Sequence, residues 1–541
     1  MRLLLCFFLV IIFACNEVEE PVLPTYTIRA EALNKVDDRL FGAFFEKATW
    51  GGEIGSEAAV SLRTGEVFPE VKDYMDWMQI PLLRYPGGTA IDYYPWYNLI
   101  DSMPGKHRTR PRNAHVLDPD QWGVVESDGR MGLHEYMDLC RELNIEPHLV
   151  VNLGEGYYGK QSPVAAAEAM GADFVRYCND RTGPWAALRA ANGSAAPFNV
   201  KYWQIGNETW LFEGLEFGKR TETAKARLTE NIVAYARAMK AADPGITLIV
   251  DGAEGLGDGA RAAVGELIDY YTFHAYTPWA IRDIRRDTAL VRADTLSPAE
   301  VWRGLVAAPR IDSLTGRSVL DPWAYRTLPE ALPLAVTEWN WNGWFAGPAK
   351  PARPENELLA YGLGAAGFLH GLLRESGRIK IANQSMLVGT SWRITGIRVD
   401  TTEAERPRMY PSALVTGLYS RHHGDQLLDY EVENANYYAQ PFQLGNIQPA
   451  PKVAEQDVVV TADAGAYYLH IINRSYTGAR SLRFVFPGGV GAYTHYLISE
   501  LGKGNRSDFA GVTETTGRFA GDTGVVEVPA RSVSVVRVGR E

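Results

Sequence analysis

The sequence predicts an α/β protein, a (β/α)8 TIM barrel with a C-terminal all-β sandwich domain. Between residues 40 and 395, short apolar strand-like runs alternate with helical stretches. This alternation is typical of a parallel sheet covered by helices. The runs number eight, which is the number that closes such a barrel. After about residue 405 the pattern changes to period-two alternation with Gly and Asn turns, which is typical of antiparallel strands.

The individual elements follow from local patterns. The strand-like runs are residues 40–48, 81–88, 147–154, 202–209, 247–254, 269–276, 334–340 and 385–392. Helical spacing of apolar residues occurs at 67–80, 132–144, 164–178, 223–242 and 356–376. The connection 280–330 is rich in Arg, Asp and Pro, and we expect it to form a lid or rim.

These patterns predict four segments. They are a leader at 1–15, a linker at 16–25, a catalytic barrel at 38–400 and a sandwich at 401–541. The stretch 26–37 has the same alternating character as the sandwich and is expected to join it. The net charge of −11, without a long Lys/Arg run, argues against nucleic acid or anionic lipid as a partner.

The N-terminus has the features of an export signal. Residues 3–13 form an apolar run that is too short to span a membrane as a mature helix. The run ends in Ala14-Cys15, which resembles a bacterial lipobox, so Cys15 is the expected lipidation site. An acidic, flexible stretch follows it. The predicted location is extracytoplasmic, with a lipid anchor on the outer membrane or cell surface; simple secretion or a periplasmic location is the alternative.

The ends of the predicted strands carry the candidate functional residues, because barrel enzymes use the C-terminal ends of their strands. Glu208, in YWQIGNET, ends the fourth strand, and Glu338, in LAVTEWN, ends the seventh. Paired carboxylates suit glycoside hydrolysis: one protonates the leaving oxygen, and the other attacks the anomeric carbon or activates water. A single Glu at a strand end is more often a helix cap or an ion-pair partner. Two such motifs on these two strands are much harder to explain in that way.

Several other side chains at this mouth are predicted to bind substrate. Asn207 can hydrogen-bond a sugar hydroxyl, and Tyr276 can orient the nucleophile. Trp339, next to Glu338, is a further candidate for lining the sugar site.

The two carboxylate motifs also carry a family resemblance. YWQIGNETW resembles the acid/base motif of the clan A barrel glycosidases, and LAVTEWN resembles their nucleophile motif. The match is closest to glycoside hydrolase family 51, the retaining α-L-arabinofuranosidases. LFGAFFEKATWGGEIG, PLLRYPGGTAIDYYPW, FHAYTP, LYSRHHGD and VPARSVSVVRV are similar to further segments of that family. The resemblance implies that Glu208 is the general acid/base, that Glu338 is the nucleophile, and that Glu46 contacts the sugar. It also adds His274 and Thr89 to the predicted substrate-binding set, which is Glu46, Thr89, Asn207, His274, Tyr276 and Trp339.

Two positions depart from the family pattern. The family usually has Asn after Pro-Gly-Gly, where this chain has Thr89. Near the eighth strand the family often carries Ala-Gln, whereas IANQSMLVG places Ser385-Met386 there, with Gln384 close by. We expect these changes to affect the identity of the substrate more than the mechanism.

The predicted function is therefore a retaining exo-glycosidase that removes terminal α-L-arabinofuranosyl residues from polysaccharides or oligosaccharides, with no cofactor and no metal. The expected partner is carbohydrate, and membrane contact is expected only through the lipid anchor. The resemblance implies that homo-oligomers occur, although no residue pattern indicates one. Two alternatives stay open: another clan A activity of the β-xylosidase or endo-glucanase type, and a non-catalytic surface glycan-binding protein.

Overall fold

The computed structural model describes most of the chain. It covers residues 22–47, 53–93, 95–101, 114–116, 124–126, 129–216, 219–251, 258–311, 318–319, 332–345, 357–499 and 511–541. The predicted leader, Cys15 and most of the linker lie outside the described residues. Among the described residues, none of the helices has the length and apolar character needed to cross a membrane.

A closed barrel of eight parallel strands forms the centre of the molecule and confirms the predicted fold class. Its strands are Gly42–Phe44, Leu82–Tyr85, Glu146–Val151, Tyr202–Ile205, Thr247–Asp251, Tyr270–Tyr276, Leu334–Asn340 and Ile379–Gln384. The last strand closes the barrel by pairing with both Leu334–Asn340 and Gly42–Phe44. All eight C-terminal strand ends therefore meet at one mouth.

The eighth strand lies earlier than the sequence pattern predicted. Ile379–Gln384 is the barrel strand, whereas the predicted run 385–392 contains only the short strand Val388–Gly389. That short strand pairs outside the barrel, with Ile397–Arg398. Ile379–Gln384 contains Lys380, Asn383 and Gln384 and so has no continuous apolar run, whereas the predicted segment contains the apolar run 386–388.

Helices cover the barrel from outside. They are Pro69–Met78, Leu133–Glu142, Gly154–Tyr158, Pro163–Ala166, Asp173–Asn179, Pro184–Ala191, Glu222–Ala242, Asp258–Val264, Pro298–Leu305, Glu357–Arg374 and Pro411–Arg421. A π-helical turn, Ala167–Ala172, joins the fourth and fifth of these. Local chemistry explains several helix starts. Thr221 caps Glu222–Ala242 through its side chain, and Ser297 forms a capping box with Glu300 at the start of Pro298–Leu305.

The C-terminal domain is built on a nine-stranded sheet. Its strands are Thr25–Lys35, Gln426–Glu433, Gln456–Ala462, Ala466–Asn473, Arg480–Val485, Val490–Ile498, Thr513–Arg518, Thr523–Val528 and Ser532–Arg540. The N-terminal strand Thr25–Lys35 pairs with Gln426–Glu433 and Arg480–Val485. The chain thus enters the barrel from the C-terminal domain.

This sheet contributes to two hydrophobic cores. On the strand Gln456–Ala462, Val459 packs into the core shared with the barrel, whereas Val458 and Val460 pack into the core of the C-terminal domain. Successive side chains of a strand point to opposite faces, so one strand serves both cores. The predicted rim segment adds another link, because Ile284–Arg286 pairs with Phe442–Leu444 of the C-terminal domain.

Candidate active site

A tight turn after the fourth barrel strand presents Asn207 and Glu208 to the mouth. Gly206 has φ +72°, and Glu208 itself is left-handed, with φ 46° and ψ 49°. Two buried carboxylates hold this turn: Asp92 accepts the Asn207 N–H at 3.1 Å, and Asp251 accepts the Thr209 N–H at 2.8 Å. Burial raises the pKa of Asp92 to about 7 and that of Asp251 to about 6.

Arg84, at the end of the second strand, connects the two halves of the site. Its side chain is fully buried, and it donates to three groups. Nη1 donates to Glu338 Oε1 at 2.9 Å, Nη2 to Asn207 Oδ1 at 2.6 Å and Nε to Gln204 Oε1 at 3.0 Å. One guanidinium therefore fixes the ends of the fourth and seventh strands relative to each other.

Glu338 is held on both carboxylate oxygens. Oε1 accepts from Arg84, and Oε2 accepts the Tyr276 O–H at 2.8 Å. Only 9% of its side chain is exposed. Such a carboxylate is fixed in orientation and remains available to a substrate from the mouth.

Glu208 has a different environment, with 20% of its side chain exposed. Its Oε2 accepts the Thr89 hydroxyl at 3.1 Å, and its Oε1 lies 2.9 Å from His274 Nδ1. The other imidazole nitrogen of His274 lies 3.2 Å from Thr337 Oγ1. One carboxylate oxygen of Glu208, one of Glu338 and one ring nitrogen of His274 all lie within 4.8 Å of one another. The two carboxylates therefore face each other across a narrow gap.

The titration of Glu208 is coupled to that of His274. Burial by itself would raise the pKa of Glu208, but the hydrogen bond and charge of His274 reverse this, and the pKa is lowered. Burial disfavours charge on His274, but the carboxylates of Glu338 and Glu208 prevail and raise its pKa. In the free protein, the proton of this pair therefore sits on His274.

The pKa of Glu46 is shifted in the opposite direction to that of Glu208. Burial, followed by repulsion from the Glu338 carboxylate, raises the pKa of Glu46 to about 8. Glu46 is therefore largely neutral at pH 7 and can donate a hydrogen bond. It contacts the backbone of Gly88, where an added Cβ would lie 2.9 Å from Glu46 Oε1 and 3.3 Å from Glu338 Oε1.

One donor in the site lacks a protein partner. Asn207 is fully buried, and its Nδ2 has no hydrogen bond among the described residues, although its Oδ1 is held by Arg84. An unpaired buried amide costs free energy that a ligand oxygen can recover. This amide group suits a sugar hydroxyl.

Two predicted substrate contacts have other roles in the structure. Trp339 does not reach the mouth: it is fully buried, and its ring packs against Phe368 of the helix Glu357–Arg374, 5.3 Å between centroids. It follows Glu338 on a strand, so its side chain must point to the other face. The sugar contact expected of Trp339 is therefore wrong. Thr89 is at the mouth, but its hydroxyl donates to Glu208.

Sequence reasoning missed several supporting residues. Gln204 is a polar residue in an apolar strand, a signal that could have revealed its bond to Arg84. Glu53 was not identified at all. Its buried carboxylate accepts the N–H groups of Ser391 and Trp392 at 2.8 and 2.6 Å and also binds Thr390, which ties the loop after the first strand to that after the eighth.

The cluster of Glu208, His274 and Glu338 has spacing that a metal ion could use. The Arg84 guanidinium, however, bonds directly to Glu338, and Tyr276 and Thr89 donate to the carboxylates. These donors occupy the oxygens that would face a cation, and the charge of Arg84 repels one. The donor set fits a pair of working carboxylates better than a metal centre.

Comparisons with known proteins agree with this geometry. Residues 74–288 match the family model described as the alpha-L-arabinofuranosidase 1 domain. A probable alpha-L-arabinofuranosidase C from Aspergillus terreus is 27% identical over 382 residues, covering 67% of this chain and 68% of that protein. The intracellular exo-alpha-(1->5)-L-arabinofuranosidase 1 of Bacillus subtilis is 27% identical over 256 residues, covering 45% of this chain and 46% of that one.

Solved structures share the fold over nearly the whole chain. The alpha-L-arabinofuranosidase from Thermotoga maritima, in its arabinose complex, has a TM-score of 0.66 at 21% identity, covering 96% of this chain and 99% of that chain. The GH51 arabinofuranosidase from Xanthomonas axonopodis pv. citri has a TM-score of 0.68 at 21% identity, covering 95% and 99%.

The barrel, its paired carboxylates and the matched domain define the chain as a glycoside hydrolase. Within that class it is α-L-arabinofuranosidase-like and resembles glycoside hydrolase family 51.

Proposed function

We propose that the protein is a retaining exo-α-L-arabinofuranosidase. The observation that carries this proposal is the placement of Glu208 and Glu338, with carboxylate oxygens within 4.8 Å of each other at the ends of the fourth and seventh strands. Retaining enzymes hold their carboxyl groups about 5–5.5 Å apart, whereas inverting enzymes leave a wider gap for water. The names of the relatives support arabinofuranose as the sugar.

In the first step of the proposed reaction, Glu338 attacks the anomeric carbon. The bond from this carbon to the leaving oxygen breaks, and Glu208 gives that oxygen its proton. Arg84 and Tyr276 hold Glu338 in line for this attack. In the second step, Glu208 takes a proton from water, the water oxygen attacks the same carbon, and the Glu338 carboxylate leaves with the bonding electrons. The sugar is released with its original configuration.

The Glu208–His274 pair has a specific part in this proposal. The acid step needs a proton on Glu208, whereas in the free protein the pair holds its proton on His274. A leaving oxygen placed beside Glu208 favours the protonated carboxyl group, and His274 can return the proton across their 2.9 Å contact. His274 thereby supplies the acid and is recharged when Glu208 deprotonates water.

Variants of the two carboxylates test the mechanism. Glu338→Ala should abolish release of nitrophenol from 4-nitrophenyl α-L-arabinofuranoside. Glu208→Ala should spare the first step with this good leaving group and lose it with natural oligosaccharides, since only poor leaving groups need protonation. Proton NMR should show the product with its configuration retained. Near-normal turnover of a natural glycan by either variant, or an inverted product, would contradict the mechanism.

The presence of Thr89 is a reason to test whether the site prefers a sugar other than arabinofuranose. Its hydroxyl is committed to Glu208, so the site has no amide at this position for the sugar. A panel of nitrophenyl glycosides, including β-xyloside and β-galactoside, measures the consequence. If the protein prefers another sugar and Glu338→Ala loses this activity, the proposed mechanism stands and the proposed substrate is wrong. Glycan binding with no hydrolysis of any member would favour a binding protein.

For localisation, we propose that Cys15 carries a lipid anchor at an extracytoplasmic membrane face. The support is the short apolar run before Ala14-Cys15 in the sequence. The wild type should be labelled by a fatty-acid probe and should fractionate with membranes. Both properties should be lost in Cys15→Ala. Unlabelled protein in the soluble fraction would contradict the anchor. Light scattering of the purified protein measures whether it forms the homo-oligomer that the family resemblance implies.

A further inference from the structure

A second cavity lies where the C-terminal domain meets the end of a barrel helix. Its volume is about 280 Å³, close to the lower end of the range for small-molecule sites. Arg374, which ends the helix Glu357–Arg374, forms part of the wall. Barrel helices run antiparallel to the strands, so this helix end lies at the face opposite the catalytic mouth. The cavity shares no described lining residue with the site above.

The cavity is strongly cationic, although the chain as a whole carries a net charge of −11. Arg310, Arg374, Lys452 and Arg474 line it, and among the described lining residues only Asp457 is acidic. Four of the described lining side chains are therefore cationic and one is acidic. Guanidinium groups favour the planar, two-oxygen geometry of a carboxylate.

The inner wall is rigid and buried. Arg474 is 2% exposed and donates to the carbonyl oxygens of Val306 and Pro309 at 2.8 and 3.1 Å. It also donates to Asp457 at 2.9 Å, and Arg374 donates to the other oxygen of the same carboxylate. One carboxylate therefore faces two guanidinium groups and neutralises only one of them. Such a pre-formed charge excess is suited to a further anion.

Tyrosine rings line the remaining wall. Tyr26 is buried and stacks on Phe484, and the Tyr430 hydroxyl donates to the Val458 carbonyl at 2.7 Å, which fixes both rings. Tyr437 is 45% exposed at the rim. Among these three rings, Tyr437 has the exposed apolar surface and polar edge that a ligand can contact. This combination suits the body of a sugar ring, which a bare inorganic anion would not use.

Lys452 is the accessible cation of the cavity. Its Nζ lies 4.0 Å from the centroid of the Tyr437 ring, and no carboxylate partner is found for it among the described residues. A cation at the rim without an ion-pair partner can meet an incoming anion at little cost.

We propose that this cavity binds a sugar residue that carries a carboxylate, a uronate unit of an acidic glycan. The carboxylate lies among Arg310, Arg374 and Lys452, and the sugar ring lies against the tyrosines. The site is separate from the catalytic mouth, so it holds an acidic part of a glycan without hydrolysing it. This assignment goes beyond the proposed reaction and does not depend on which neutral sugar is released.

The test compares digalacturonic acid with its methyl ester, which removes the charge and keeps the sugar. Calorimetric titration of the purified protein should give at least tenfold weaker binding for the ester. Lys452→Ala and Tyr437→Ala should each weaken binding of the acid at least fivefold. Lys201→Ala is the matched control, because Lys201 also lies over a tyrosine ring, that of Tyr202, at 5.3 Å, and it should bind normally.

Two further measurements separate this site from the catalytic one. Glu338→Gln should bind the acid as the wild type does, and Lys452→Ala should hydrolyse the best nitrophenyl glycoside at the wild-type rate. Equal affinity for the acid and its ester would overturn the proposal, as would loss of binding in Glu338→Gln. If sodium sulfate binds as tightly as the acid, the cavity is an anion site without sugar recognition, and the proposal is also overturned.

Discussion

Gly88→Ala should lower kcat/KM with little effect on the stability of the fold. An added methyl group would lie 2.9 Å from Glu46 Oε1 and 3.3 Å from Glu338 Oε1, whereas ordinary contact begins at 3.4 Å. Glu46 must therefore move by about 0.5 Å and Glu338 by about 0.1 Å. Catalytic groups must be held within roughly 0.5 Å of the productive geometry. A misplacement of about 1 Å can cost roughly 100-fold in rate, so we expect kcat/KM to fall about 10- to 100-fold.

The cost to folding should be small in the same variant. Glu46 Oε1 is the end of a side chain that can move by this distance, Glu338 needs almost no movement, and Gly88 does not have a positive φ that would strain alanine. We expect a loss of about 1 kcal/mol or less, which shifts the Tm of a chain of this length by only about 1 °C.

The neighbouring glycine provides the control. At Gly87 an added methyl group would have its nearest neighbours at 3.8 Å, in ordinary contact. Gly87→Ala should therefore keep near-normal kcat/KM on the best nitrophenyl glycoside. The reasoning fails if Gly88→Ala retains wild-type activity, if Gly87→Ala is impaired equally, or if Gly88→Ala loses activity only because it unfolds.

Three further predictions concern the groups that support the site. Tyr276→Phe removes a 2.8 Å hydrogen bond to Glu338. A hydrogen bond to a charged group contributes about 1.5–3 kcal/mol, so kcat/KM should fall roughly 10- to 100-fold with Tm nearly unchanged. Unchanged kcat/KM would refute this role of Tyr276. Glu53→Gln places an amide against the N–H groups of 390–392, and urea unfolding should show a loss of about 3 kcal/mol at pH 7. The pKa of Glu53 is lowered in the folded state, so the stability that its carboxylate contributes is present above the unfolded pKa near 4.5 and is lost as pH falls through the folded-state pKa. Glu53→Gln should therefore differ least from the wild type in acid. The pKa of Asp92 is raised from 3.8 to about 7, so the folded state keeps a proton that the unfolded state loses, and the contribution of Asp92 to stability should fall as pH rises from about 4 to 7. Relative to Asp92→Asn, the wild type should therefore lose roughly 4 kcal/mol of unfolding free energy over this interval. An equal pH dependence of the two proteins would show that Asp92 does not titrate there.

The sequence alone was sufficient for the architecture and for the placement of the two carboxylates. Apolar runs that alternate with helical stretches predicted the barrel, and period-two alternation predicted the C-terminal strands. Glu208 and Glu338 could be assigned to the mouth because parallel strands in a barrel deliver their C-terminal ends to one face. That rule is local and topological, and it requires no knowledge of side-chain packing.

Two predictions were wrong, and one of these errors had a signal in the sequence. Trp339 follows Glu338 directly on a strand, and the period of two already requires the pair to point to opposite faces. The eighth strand was placed at 385–392 instead of Ile379–Gln384, because the continuous apolar run lies in 386–388 and the true strand carries three polar residues. Closure of the barrel, which requires pairing with the first strand, selected between them.

Only the tertiary structure decided how the site is connected. The sequence showed Arg84 within the predicted strand 81–88, but not that its guanidinium binds Asn207 and also Glu338, which lies 254 residues further along the chain. It showed Thr89 where the family has Asn, but not that the hydroxyl donates to Glu208. Such contacts depend on strand register and on loops that return from distant parts of the chain. Residue types and their spacing determine which groups reach the mouth, whereas the closed packing of the barrel determines which of them touch.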